Sequence, residues 1–162
     1  MATEQQLIQL VEALAEVAGE IFENQGYING VYIIPTADSG WHFYEVPDGD
    51  PRFQRVIISA VARQLGVEVY AHVDEAWSVN APPGTEVRDI DPATDPDCVE
   101  MVVFTVRDGA GHIVMGERPI IRDKGKPPRL GALRMWRARQ VEVDGGRYDY
   151  TELADLDAPM RH

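Results

Sequence analysis

The chain has one cysteine, Cys98, so no disulfide can form within it, a usage that fits a reducing compartment. It lacks any apolar run approaching the roughly 18 to 20 residues needed to span a bilayer. Its start, MATEQQLIQL, has neither the basic opening nor the apolar stretch of a signal peptide. These absences predict a cytoplasmic protein without membrane contact. Motifs that fix a chemistry are missing too. No Ser or Cys sits in a nucleophile turn such as GxSxG, and Lys124-Gly125-Lys126 lacks the frame of a phosphate loop. Four histidines and one cysteine offer no pair at zinc-ligand spacing. Residues 89–100 place acids at loop positions 1, 3, 7, 9 and 12, but Thr94 stands where a calcium loop needs glycine, and no helices flank it. No catalytic residue, metal or cofactor is therefore assigned.

Positive charge is scarce in the first half. Residues 1–87 carry 3 basic and 13 acidic groups, whereas 88–162 carry 12 and 14, within a total of −12. Eight of the later cations (Arg118, Arg122, Lys124, Lys126, Arg129, Arg134, Arg137 and Arg139) lie in residues 118–139 against Asp123 alone. The overall acidity opposes nonspecific nucleic-acid binding, and the basic segment is the one exception to test. The plainer expectation is that its arginines pair with the protein's own acids, including the tail.

At 162 residues and 44% hydrophobic, the chain can bury one sizeable core. Its longest period-2 stretch is residues 67–79 (VEVYAHVDEAWSV), which predicts a central strand. Val67, Val69, Ala71, Val73, Trp77 and Val79 would line one face; Glu68, Tyr70, His72, Asp74 and Ser78 would line the other. Glu75 breaks the pattern by falling on the apolar face. An unpaired buried charge is costly, so a β-bulge turning it outward is expected in preference to a carboxylate held inside.

Thr3 and Gln6 have capping-box spacing ahead of an apolar stripe, Leu7, Leu10, Val11, Leu14, Val17, Ala18, Ile21 and Phe22. A helix running to Gln25, with Gly26 in the left-handed cap position, follows. Its polar face carries Glu12, Glu16, Glu20 and Glu23, either solvated or a docking surface for a basic partner. Asp50 and Pro51 open a second helix whose expected core stripe is Phe53, Val56, Ile57, Ala60, Val61 and Leu65. Strands are expected at 30–34, 41–46, 98–107, 112–122 and 130–143, with residues 80–97 a proline-rich loop and 108–111 a hairpin turn. The order predicts an α+β fold: a single domain over 1–143, a largely antiparallel sheet of about five to six strands, and two helices packed on one face. One parallel pair through the second helix stays open, and 144–162 reads as an acidic, loosely held tail.

Glu75-Ala76-Trp77, ahead of an acidic proline-containing loop and an Asp-Gly hairpin, resembles small uncharacterised bacterial and phage proteins. The likeness covers the middle third of the chain and implies no activity.

Three functions remain. The leading expectation is a non-enzymatic accessory protein acting through protein contacts, as a homodimer or with another partner, because acidic helices and a basic sheet region could be self-complementary. The second is an enzyme or small-ligand binder using Tyr70, His72, Asp74, Glu75 and Trp77, with Trp41 or Trp77 as an apolar wall. The third is a single-stranded nucleic-acid binder through the basic segment.

Overall fold

The computed structural model describes residues 2–38, 40–45, 49–79, 91, 94–143 and 147–155, with backbone alone for Pro51, Val79, 139–143 and 147–155. Helix α1 spans Glu4–Gln25. Its capping box is complete: Thr3 Oγ1 accepts from the Gln6 N–H, and the Gln6 side chain accepts from the Thr3 N–H at 2.8 Å. Gly26 ends the helix at φ 81, a conformation that costs other residues a steric penalty. Leu7, Leu10, Val11, Leu14, Ala15, Ala18 and Phe22 are buried along one side.

The strands are β1 (Val31–Thr36), β2 (Gly40–Tyr44), β3 (Val69–Val79), β4 (Cys98–Asp108), β5 (Ile113–Ile121), β6 (Arg129–Leu130), β7 (Arg134–Val143) and β8 (Arg147–Asp155). Seven run in the order β2-β1-β3-β4-β5-β7-β8, with β6 paired beside β5. Every pairing is antiparallel. The expected α+β class with an antiparallel sheet is what the structure has. No parallel pair forms among the described residues, although β2 and β3, both antiparallel to β1, run the same way on either side of it.

Helix α2 (Pro51–Gln64) makes that crossover, opened by the Asp50 carboxylate accepting from the Arg52 N–H at 2.9 Å. Its position corrects the expectation of two helices on one face. Ile33, Ala71, Val73, Val102, Phe104, Val106 and Val114 pack under α1, whereas Ile58 and Ala62 of α2 pack on Tyr32 and Ile34, which alternate with Ile33 and so point the other way. A helix of 22 residues, roughly 33 Å long, already occupies the first face, leaving the second for α2. Its expected core stripe is also displaced. Phe53 and Val56 are 67% and 63% exposed, and Ile57 and Leu65 are exposed as well.

Two further corrections concern β3 and the tail. The β3–β4 register runs unbroken from Val69↔Asp108 to Val79↔Cys98, so no bulge turns Glu75 outward. Instead Glu75 Oε1 accepts from the Ile28 N–H at 2.7 Å, and the carboxylate is the loop's acceptor. Residues 147–155, expected in a loose tail, form β8, paired antiparallel with β7, and Tyr148, Tyr150 and Thr151 are its strand-favouring residues. A register shift opposite Arg137 and Ala138 is the one irregularity in that pairing. Most of the proline-rich loop (80–90, 92 and 93) lies outside the described residues.

Candidate functional site

The five candidate residues on β3 do not form one site. Tyr70, His72 and Asp74 face the α2 side, whereas Glu75 and Trp77 face the α1 side, with Trp77 45% exposed near the strand's end. His72 and Glu75 therefore lie on opposite faces of the sheet, and each face has its own concavity.

On the α1 side an open groove of about 380 Å³ lies between α1 and the β1–β2 hairpin. Val17 and Ile21 of α1, Ile28, Val31 of β1, and Trp41 and Phe43 of β2 line it. Leu14 and Ala18 are buried in the core, while Val17 and Ile21 border this groove, Ile21 39% exposed. Trp41 and Phe43 meet edge to face, ring centroids 6.5 Å apart. Glu45 is the one charged lining residue among those described, and Glu20 is the (i, i+3) neighbour of Val17 on α1. Glu75 fixes the loop carrying Ile28, so it shapes the groove without lining it.

On the α2 side a wider cleft of about 540 Å³ is lined by Arg52, Arg55, Val56, Ser59 and Arg63 of α2, Tyr70 of β3 and Arg107 of β4. Arg52, Arg55 and Arg63 are the only cations in the first 87 residues. That is a sequence signal the strand-centred reading passed over. Tyr70 and Arg107 are cross-strand partners, and Arg107 is 8% exposed. Burial holds the Arg107 guanidinium below its ordinary pKa, with Arg55 pushing the same way and Tyr70 opposing. Burial likewise raises the hydroxyls of Tyr70 and Tyr32. Behind them His72 stacks on Tyr32 at 4.4 Å and 30°, and Tyr32 donates to Gln54 Oε1 at 3.4 Å, joining sheet and helix. Burial holds the His72 imidazole below its ordinary value, against the pull of Asp74. Asp74 itself is turned back on the chain, its Oδ1 accepting from the Glu75 N–H at 2.8 Å. His72 thus has an aromatic wall and no nucleophile among its described contacts.

The basic segment is largely spent within the chain. Arg118 donates to the carbonyls of Ala15 (2.8 Å), Gly131 (2.7 Å) and Leu130 (3.2 Å), tying β5 to α1 and to the turn after β6. Arg122 and Arg137 form forked pairs with Glu100 and Glu4, and Arg129 meets Asp123 at 2.7 Å. Arg134 approaches Glu117 at 3.5 Å and lies over the Trp136 ring. Pairing with the tail acids falls on side chains outside the described residues. No group of His, Cys, Asp and Glu suited to a metal occurs among the described residues, and no helix among them is long and apolar enough to cross a membrane. No family model matches the chain, and no curated protein or solved structure does.

Proposed function

We propose that the protein is a small accessory module that works by protein contacts, seating an amphipathic segment of a partner in the groove between α1 and the β1–β2 hairpin. The observation that carries this reading is a groove lined by Val17, Ile21, Ile28, Val31, Trp41 and Phe43, with a glutamate as its only charge among the described residues. Burying apolar side chains there contributes affinity at roughly 25 cal/mol per Å² before association costs. The occupant's flanks are cationic, because α1 presents Glu12, Glu16, Glu20 and Glu23 without a Lys or Arg of its own. A different protein fits better than a second copy. A symmetric pair of copies would need cations beside the groove, whereas the α2 arginines lie on the opposite face of the sheet and five of the eight cations in residues 118–139 are engaged with this chain's own carboxylates and carbonyls.

A designed amphipathic peptide of leucine and lysine, with a leucine–glutamate peptide as control, tests the reading through tryptophan fluorescence. The cationic peptide is expected to bind, and Ile21→Lys with Phe43→Ser, both at exposed positions, to weaken it at least tenfold. Equal binding of the two peptides, or indifference to the double variant, would overturn the proposal. So would sedimentation showing a stable dimer that the same double variant dissociates, because the groove would then belong to a second copy.

A further inference from the structure

The second cleft carries a separate function. Arg52, Arg55 and Arg63 recur on α2 at spacings of three and eight, and the fold brings Arg107 from β4 to the same cleft, beside the hydroxyls of Ser59 and Tyr70. We propose that this cleft binds a small multivalent oxyanion, a phosphate ester or a polycarboxylate of about the size of pyrophosphate or citrate. Guanidinium groups present planar forks of N–H donors that match carboxylate and phosphate oxygens two at a time. Arg107 is fixed in the sheet and α2 is held by Ile58 and Ala62, so the donors are carried on regular elements rather than on loops.

No carboxylate lines the cleft among the described residues. The Asp50 carboxylate holds Arg52 at 2.8 Å at the start of the helix. A guanidinium has five N–H donors, so an arginine engaged within the chain still has donors to offer a ligand. Such a concentration of guanidinium runs against a chain of net charge −12. At about 0.15 M salt the Debye length is roughly 8 Å, so the distant acids are screened while the cleft's own arginines are not. An anion of two or more charges gains from several guanidinium groups at once, and a monovalent one gains little.

Titration calorimetry of the full chain with inorganic pyrophosphate, citrate and chloride tests this. Pyrophosphate or citrate is expected to bind, chloride is not, and the preferred anion identifies phosphate or carboxylate chemistry as the source. Arg55→Ala with Arg63→Ala is expected to weaken binding at least tenfold, and Tyr70→Phe to weaken it less. Lys126→Ala with Arg129→Ala, a control in the basic segment, and Ile21→Lys in the groove should leave it unchanged. Absence of binding by both polyanions at millimolar concentration overturns the proposal. Loss in the Lys126/Arg129 control equal to that in the α2 variant also overturns it, since the contact would then be a diffuse charge effect. A far-UV spectrum matching the parent's confirms that each variant is folded.

Discussion

Beside α1 the sheet offers Val31, Ile33 and Val73 to a groove whose single charged lining residue among those described is Glu45; beside α2 it offers Tyr70 and Arg107 to a cleft lined by Arg52, Arg55 and Arg63. The same strands build both, because successive side chains of β1 and β3 point to opposite faces. The two helices are anchored unequally. Seven buried side chains hold α1, whereas α2 buries Ile58 and Ala62 and leaves Phe53 and Val56 exposed. The difference sets a thick apolar layer beneath α1 against a thinner, more polar layer beneath α2, whose helix should open locally at lower cost.

The largest effect should come from breaking the thick layer. Phe104, fully buried beneath α1, should cost about 3 to 5 kcal/mol when truncated to alanine, through lost transfer energy and the cavity left behind. Amide exchange sharpens the contrast. The α2 amides should exchange through local opening well before those at the centre of α1, whose protection should follow global unfolding. Equal protection of the two helices would show that α2 is held by more than its buried pair.

Glu75→Ala should come next, at about 1 to 3 kcal/mol, because it leaves the Ile28 N–H without its acceptor at the floor of the groove. Glu75→Gln keeps a carbonyl oxygen there and should recover most of the loss in denaturant midpoint. A cost within about 0.5 kcal/mol for the alanine variant would mean that water replaces the carboxylate and that the loop needs no anchor.

What the sequence made legible follows from how local each signal is. The capping box of Thr3 and Gln6, Gly26 and most of the α1 stripe are read within one helix and stand as expected, whereas Val17 and Ile21 of that stripe stay outside the core and Ala15 joins it. For α2, periodicity located the helix and its cap but not its buried side. The stripe Phe53, Val56, Ile57 and Ala60 is the more apolar, yet the sheet face left available carries Tyr32, Tyr70 and Arg107, and Ile58 and Ala62 turn towards it. Glu75 looked anomalous because its partner is a backbone N–H 47 residues earlier, which no pattern on β3 reveals. The arginine cleft was half visible, in three cations on one helix in an otherwise cation-free half; Arg107 joins them only through the β3–β4 register.

His72 supplies a pH test of the polar layer. Its folded pKa is depressed, first by burial and then by Arg107 and Arg55, so above its ordinary value of 6.5 it is neutral folded or unfolded and contributes no pH dependence. As pH falls below 6.5 the unfolded chain takes up a proton that the folded chain resists, and stability declines until the folded pKa is passed. His72→Phe should remove this decline between pH 7.5 and 5.5, seen as a smaller loss of denaturant midpoint than in the parent. An unchanged slope would show that His72 is as well solvated folded as unfolded.

The smallest effect expected is that of Glu4, which ties the first turn of α1 to β7 through a forked pair with Arg137, at 2.7 and 2.8 Å. The hydrogen bond from Arg137 holds the Glu4 carboxyl below its ordinary 4.5, against a smaller opposing effect of burial. A carboxylate with a depressed folded pKa stabilises the protein above its unfolded value, and that stability is lost as pH falls through the folded value. Because the Glu4 side chain is 45% exposed, solvent screens the pair, and the coupling in a cycle of Glu4→Gln and Arg137→Met should be about 0.2 to 1 kcal/mol. It should shrink at 1 M salt and vanish well below pH 4.5. Arg129 and Asp123, each about half exposed, should couple less still. A larger coupling for that outer pair would mean that the helix dipole at Glu4 and the contact between α1 and β7 add nothing to the ion pair, and that the thick layer rests on its apolar packing alone.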